Sequence, residues 1–215
     1  MGEFVRRAMT STRTPVPQAE LFSAPGPALP EGLIYQREFL TPEEEAALIE
    51  VVARMPLQEM RYKNYTARRR VVSFGGKYDF SAQRLEAAAQ LPGSLEPLRR
   101  KVAQWANLPA EALAHCLVAE YGEGTPLGWH RDVPDFEDVV GVSLLNEAVL
   151  RFRPYPPREP KKAGVIKLTV EPRSIYLLRG PARWAWQHSV APTKSLRYSI
   201  TFRTQRKGRG GRGLP

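Results

Sequence analysis

The chain has 215 residues, and its 42% hydrophobic content is enough to build the core of one domain, which excludes a largely disordered protein. Its 32 Lys and Arg residues exceed its 22 Asp and Glu residues, and the resulting charge of +10 indicates a polyanionic partner, nucleic acid before an anionic membrane. The single cysteine, Cys116, excludes an internal disulfide and a cysteine-based metal site.

Both ends of the sequence predict disorder around one domain at residues 32–204. Residues 1–31 are rich in proline and have no apolar periodicity, and residues 205–215 form a Gly/Arg-rich tail. The first segment also lacks the apolar core of a secretory signal, and no apolar run approaches the ~20 residues of a membrane helix. We therefore expect a cytoplasmic protein that has no membrane partner.

Helices are predicted in the first half of the domain. Thr41 begins the clearest one, because it is followed by a proline at the first helical position and by Glu44 at the capping-box position. A second helix is predicted within residues 94–106, where apolar residues recur every three or four positions. A shorter helix is predicted at Ser81–Leu91.

Short strands are predicted after the helices. They are runs of β-branched, aromatic and leucine residues that Gly and Pro turns separate. The runs are His115–Glu120, Val139–Leu145, Leu150–Arg153, Ile166–Val170, Ser174–Leu178 and Ser195–Thr204. No βαβ alternation is present, so the order predicts an α+β fold in which N-terminal helices buttress a β-sandwich or jelly roll.

A metal site is indicated by two of the three histidines and one aspartate. His130 and Asp132 are two residues apart, so in an extended segment both side chains leave the same face. With the distant His188 they form the ligand set of a facial triad for Fe(II), which leaves coordination positions open. By itself a His-X-Asp pair is equally consistent with a surface turn.

The last predicted strand carries two arginines, Arg197 and Arg203, on one face. Burying guanidinium groups is costly unless they meet anions, and a dicarboxylate co-substrate would satisfy them through bidentate contacts. For Arg203 alone, a solvated strand end is the alternative.

These motifs together resemble the AlkB-like branch of the 2-oxoglutarate- and Fe(II)-dependent dioxygenases. The resemblance rests on the triad, on the closing string RYSITFR at 197–203, on Tyr121-Gly-X-Gly and on Gly180-X-X-Arg183, and it covers roughly residues 33–204. It implies a double-stranded β-helix, the jelly roll that is also predicted from the strands.

The resemblance implies the role of each site residue. His130, Asp132 and His188 would bind Fe(II), and Tyr121, Arg197, Ser199 and Arg203 would bind 2-oxoglutarate or lie beside it. With O2 as the oxidant, the enzyme would release succinate and CO2, and formaldehyde from an N-alkylated base. Ala119 stands where the better-known bacterial members carry an Asn that helps to hold the co-substrate, so one polar contact is absent. Pro134 stands where they place an acid that contacts the target base, so base preference does not transfer.

Residues 57–80 are predicted to form a nucleotide-recognition lid, because basic and aromatic residues interleave there. Arg69, Arg70 and Tyr78 are the candidate substrate contacts, and Arg131, between two ligands, is another. A solvated basic face is the alternative for the arginine run.

We thus expect a monomeric enzyme that acts on alkylated DNA or RNA, either single-stranded or with the target base flipped out of the stack. The same iron chemistry on a protein side chain, and a non-catalytic nucleic-acid-binding protein of the same fold, are the alternatives. Intact candidate ligands argue against the second alternative.

Overall fold

The computed structural model describes residues 28–62, 65–79, 84–87, 89–157 and 164–206, and the side chains of residues 60–67 and 76–88 lie outside this description. Residues 1–27 and 207–215, which make up most of the two predicted disordered segments, also lie outside it. Within the described residues, no helix combines the length and apolar character needed to cross a bilayer.

The helices are α1 (Pro42–Ala53), α2 (Glu96–Ala106) and the short α3 (Gly180–Trp184). The capping box that predicts the start of α1 is confirmed: Thr41 Oγ1 accepts from the backbone of Glu44 at 3.2 Å, and the Glu44 carboxylate accepts from the backbone of Thr41 at 2.8 Å. Glu44 also pairs with Lys101 of α2, so the first turn of α1 is attached to the second helix.

The described residues include thirteen strands. They are β1 (Leu33–Gln36), β2 (Gln58–Tyr62), β3 (Tyr65–Phe74), β4 (Gly76–Asp79), β5 (Arg84–Ala87), β6 (His115–Tyr121), β7 (Leu127–His130), β8 (Phe136–Leu144), β9 (Ala148–Pro154), β10 (Ile166–Val170), β11 (Ile175–Leu178), β12 (Trp186–Val190) and β13 (Arg197–Gln205). The six predicted strands are all present, with ends that differ by a few residues.

Two antiparallel sheets form the jelly roll. The main sheet has seven strands in the order β1-β11-β8-β13-β6-β3-β2, and the minor sheet has four in the order β10-β9-β12-β7. Apolar side chains from both sheets, among them Ala119, Leu178 and Phe152, form a core between them. A second core lies between the main sheet and helices α1 and α2. The predicted α+β double-stranded β-helix with buttressing helices is therefore confirmed.

Strand β13 separates these two cores as its alternation predicts. Tyr198, Ile200 and Phe202 pack in the core on the helix side. The arginines at its two ends point instead between the sheets, where the candidate site lies.

The helix predicted at Ser81–Leu91 is wrong, because the described part of this segment is strand β5, which pairs with β4. A neighbouring strand so close in sequence satisfies backbone hydrogen bonds by pairing, which overrides a weak local preference for helix. Part of the predicted lid, strands β2 and β3, extends the main sheet through the pairing of β3 with β6.

Replacing Thr41 by alanine tests the contribution of the capping box. Loss of the hydroxyl leaves a first-turn N–H without its acceptor, so we expect the free energy of unfolding to fall by about 1 kcal/mol. Urea denaturation followed by circular dichroism measures the change. Thr41→Ser keeps the acceptor and should remain within about 0.5 kcal/mol of the wild type; equal losses for both variants would contradict the role of the cap.

Candidate active site

Strands β7 and β12 of the minor sheet bring the three candidate metal ligands together. His130 and His188 face each other in the β7/β12 register, with ring centroids 4.2 Å apart, and Asp132 follows two residues after His130. One ligand atom from each residue lies within 4.8 Å of the others, and His188 Nε2 is 3.5 Å from Asp132 Oδ2. The sheet thus joins residues that are 58 positions apart in sequence.

Hydrogen bonds leave one metal-binding atom open on His130 and another on Asp132. His130 Nδ1 lies 2.9 Å from the Gly128 carbonyl, which can only accept, so Nδ1 carries the proton and Nε2 offers its lone pair. Asp132 Oδ2 is buried and has no hydrogen-bond partner among the described residues. An unsatisfied buried carboxylate oxygen is costly, and a divalent metal ion would satisfy it.

The protonation states also fit a metal site. Burial lowers the pKa of His188 to about 3 and lowers that of His130, so both imidazoles are neutral ligands near pH 7. Burial alone would raise the pKa of Asp132, but the Arg203 guanidinium that it contacts holds it well below its usual range. Two neutral imidazoles and one carboxylate are a donor set that suits Fe(II).

Arg203 holds the other oxygen of Asp132. Its Nε and Nη2 atoms both lie 2.7 Å from Asp132 Oδ1, and its Nη1 lies 3.3 Å from Nδ1 of the buried His115. Arg203 therefore pairs with the carboxylate of Asp132, one of the three candidate metal ligands. His115, for which the sequence predicts only a packed strand residue, is placed there by the β13/β6 register.

Arg183 is a functional residue that the sequence analysis did not assign. It is buried at the end of α3, and its Nη2 donates to the carbonyls of Asp132, Val133 and Phe136 at 3.1, 2.7 and 2.9 Å. These contacts hold the loop that carries Asp132. Arg183 belongs to the Gly180-X-X-Arg183 motif, but its carbonyl partners are visible only once the loop is folded.

Arg197 lies in a separate polar pocket between the sheets. Its side chain is only 1% exposed, donates to Ser143 Oγ at 3.1 Å and also bonds to Tyr121, its partner in the β13/β6 register. Burial lowers the pKa of Arg197, and the nearby Tyr121 and Tyr176 offset part of this decrease. Ser199 is buried beside Ser143 in the β13/β8 register. No carboxylate of the described residues pairs with Arg197, so the pocket suits an anionic ligand.

The predicted substrate residues point in different directions. Arg69 is 8% exposed and shares its face of β3 with Val71, which packs against the core between the sheets. Arg70 points to the opposite face of β3, where it pairs with Glu120 at 3.0 Å. Arg131 donates to the Trp184 carbonyl at 3.0 Å. Tyr78 lies in β4, and its side chain is outside the described part of the chain.

Residues 32–203 match the model of the 2OG-Fe(II) oxygenase superfamily. The chain belongs to this superfamily. It is similar to two ALKBH8 proteins: it is 26% identical over 78% of its length to the tRNA (carboxymethyluridine(34)-5-O)-methyltransferase alkbh8 of Xenopus tropicalis, and 28% identical over 74% to the alkylated DNA repair protein ALKBH8 homolog of Arabidopsis thaliana. The matches span 26% and 50% of those two proteins.

Solved structures support the fold of this oxygenase. The structure of OsALKBH1 aligns with a TM-score of 0.62 and 17% identity over 83% of the chain and 100% of that structure. A prolyl-4-hydroxylase of Pseudomonas putida aligns with a TM-score of 0.56 and 17% identity over 82% of the chain and 94% of that structure. The predicted superfamily is confirmed, and it makes residues 32–203 a dioxygenase domain of the class that uses Fe(II), 2-oxoglutarate and O2, with a His-Asp-His group in place.

Replacing Arg183 by lysine tests whether the carbonyl clamp positions Asp132. Lysine keeps the charge, but its side chain is one atom shorter, so its ammonium does not reach the position of Nη2 between the three carbonyls, and we expect the affinity for Co(II), used as an air-stable probe, to fall about 10- to 100-fold. Isothermal titration calorimetry measures the dissociation constant for Co(II). Arg179→Lys, one turn earlier at a residue that pairs with Asp138, is the control and should bind Co(II) as the wild type does.

Proposed function

We propose that this AlkB-like dioxygenase removes alkyl groups oxidatively from N-alkylated bases of DNA or RNA. The observation that carries the proposal is the position of Arg69, a buried cation of the basic strand β3, on the face of that strand that it shares with Val71 and that is turned toward the core between the sheets. A guanidinium there suits the phosphate that flanks a target base. The printed names of two relatives, a tRNA methyltransferase and an alkylated DNA repair protein homolog, point to the same substrate class.

In this proposal His130, Asp132 and His188 hold Fe(II) through the open Nε2 of His130, Nε2 of His188 and Oδ2 of Asp132. Iron bound with 2-oxoglutarate activates O2 to oxidise a C–H bond. Arg203 keeps Asp132 ionised and oriented, and Arg183 fixes the loop behind it. The protein's own contribution is therefore a rigid carboxylate with one oxygen reserved for the metal.

Arg197 is the proposed partner of the distal carboxylate of 2-oxoglutarate. Ser143 and Tyr121 hold the guanidinium in place, and the buried site offers a bidentate contact in a low-dielectric surrounding. Ser199 lies on the same strand and is a further proposed 2-oxoglutarate contact, and Arg203, farther along β13, contacts Asp132.

The overall reaction balances without a further reductant. One oxygen atom of O2 enters succinate as 2-oxoglutarate loses CO2, and the other enters the alkyl C–H bond. The N-hydroxymethyl base then releases formaldehyde and regains its N–H. To reach the site the base must be single-stranded or flipped out. In the proposal Arg69, Tyr78 and Arg131 are the main candidate contacts to the strand, and Arg70, which pairs with Glu120 on the opposite face of β3, contributes less. The proposed domain is at 32–204, with its lid at 57–80.

Turnover on methylated oligonucleotides tests the reaction. After anaerobic loading with Fe(II) and 2-oxoglutarate, exposure to O2 should yield succinate and formaldehyde in equal amounts from N-methylated DNA or RNA. Asp132→Asn should abolish both products, because it removes the ligand charge. Mass spectrometry of the oligonucleotide, with assays for both small products, measures the outcome.

Asp135→Asn is the matched control, since it makes the same change three residues away, outside the ligand cluster, and should leave turnover unchanged. Succinate without formaldehyde on every methylated oligonucleotide would contradict the proposed substrate. Turnover of a peptide that single-stranded oligonucleotide does not inhibit at low salt would favour the protein substrate instead.

Separate substitutions of the neighbouring arginines test the substrate contact. Arg69→Gln should raise the KM for a methylated oligonucleotide about tenfold or more, because a charge-assisted hydrogen bond to phosphate is lost. Arg70→Gln should change KM by less than about threefold, since this guanidinium already pairs with Glu120. Steady-state kinetics at two salt concentrations measure both. A larger effect of Arg70→Gln would reverse the assignment.

A further inference from the structure

The outer face of the minor sheet carries a row of basic and aromatic side chains that the candidate active site does not use. Along β9 and just beyond it, Arg151, Arg153 and Tyr155 alternate with the inward-facing Leu150 and Phe152. Beside them, Trp129 and Arg131 alternate with the ligands His130 and Asp132. These five outward residues, Trp129, Arg131, Arg151, Arg153 and Tyr155, are called the basic stripe.

The basic stripe is held together by stacking between guanidinium groups and rings. Arg151 and Arg153 lie over the Trp129 ring at 5.3 and 4.4 Å, across the intervening strand β12. Arg131 lies 3.8 Å from the centre of the Tyr155 ring, and Tyr155 is 44% exposed. One face of each guanidinium is thus packed on a ring, while its edges remain available to hydrogen-bond acceptors.

The hydrogen-bond partners of these three arginines are neutral. Arg151 Nε donates to Ser189 Oγ at 2.9 Å, Arg153 Nε donates to Gln187 Oε1 at 2.8 Å, and Arg131 donates to a backbone carbonyl. None of the residues in β7, β9, β10 and β12 is an aspartate or a glutamate, and Lys167 on β10 adds a further cation opposite Arg151. The charge of this face is not balanced from within the sheet.

Most other surface cations in the described part of the chain pair with a carboxylate. Arg37 pairs with Glu171, Arg54 with Glu50 and Lys194 with Glu147. Unbalanced arginines that are preorganised on aromatic rings, on one face of one sheet, are a surface complementary to a polyanion. An exposed ring among them adds a platform on which a base can stack.

We infer that the basic stripe binds single-stranded nucleic acid and holds the strand that flanks the target base. The inference extends the proposed function, since Arg131 and Tyr155 lie at the end of the stripe next to the metal ligands, where a strand leaving the active site would meet them. Phosphates contact the edges of Arg151 and Arg153, and a base stacks on Tyr155. The stripe gives affinity without sequence preference.

Binding of an unmodified strand tests the stripe without any turnover. Fluorescence anisotropy follows a strand of about 20 nucleotides, longer than the roughly 4–16 nucleotides that one binding domain covers, over a range of salt concentrations. In the Arg151→Gln/Arg153→Gln double variant, the slope of log K against log salt should decrease by about 1.4, because two phosphate contacts are lost. Tyr155→Ala should weaken binding about fivefold or more through lost stacking.

Two control variants separate charge from packing. Arg151→Lys/Arg153→Lys keeps both charges and should restore most of the salt slope, whereas a purely structural role in covering Trp129 would leave it as weak as the glutamine variant. Arg54→Gln removes an exposed cation remote from this face and should change the slope by less than about 0.5. Thermal unfolding verifies that each variant is folded.

An unchanged slope in the double glutamine variant, or binding to vesicles of anionic lipid but not to the strand, would overturn the inference. The proposed reaction fails independently of the stripe: if no methylated strand is dealkylated but the slope still falls, the surface stands and the reaction does not. If dealkylation proceeds and the slope is unaffected, the reaction stands and the basic stripe does not bind the strand.

Discussion

The ion pair between Asp132 and Arg203 is the interaction on which the arrangement of the site depends. A carboxylate this deeply buried would favour its neutral form, yet a metal ligand must be ionised. Arg203 supplies two contacts to Oδ1, so Asp132 remains charged and its Oδ2 is turned toward the histidines. Because Arg203 lies at the far end of β13, the register of the main sheet determines the geometry of a residue attached to the minor sheet.

The two arginines of β13 have different electrostatic partners, although the strand presents them on one face. Arg203 is compensated inside the protein by Asp132, whereas Arg197 lies against the Ser143 hydroxyl and the Tyr121 ring and has no carboxylate partner among the described residues. A site that binds a dicarboxylate needs this difference, since an arginine already paired with a carboxylate competes poorly for another. Arg203 therefore neutralises the charge of Asp132, and Arg197 remains available to an anionic ligand.

The sequence was sufficient where local chemistry decides structure. The capping box at Thr41 and the alternation in β13 each contain the signal within a few residues, and His130, Asp132 and His188 could be singled out because histidine is rare in this chain. The sequence was insufficient where the pairing of distant segments decides the structure. Strand β5, the opposite faces of Arg69 and Arg70, and the carbonyl partners of Arg183 all depend on which strand or loop lies alongside. The basic stripe is not evident from the sequence for the same reason, since its members come from two strands that β12 separates.

Charge couples the two halves of the candidate site. The buried charged side chains include Arg69, Arg183 and Arg197, whereas Asp132, whose side chain is 6% exposed, is the acidic group beside the two histidines. Fe(II) would add two positive charges near these arginines, and Asp132 would offset only part of them. In the proposed arrangement a 2-oxoglutarate dianion would bring two negative charges near Arg197, so each ligand would lower the electrostatic cost of binding the other. What remains after both have bound is the positive charge of Arg69 and the outer arginines, which is the charge that a nucleic-acid strand would meet.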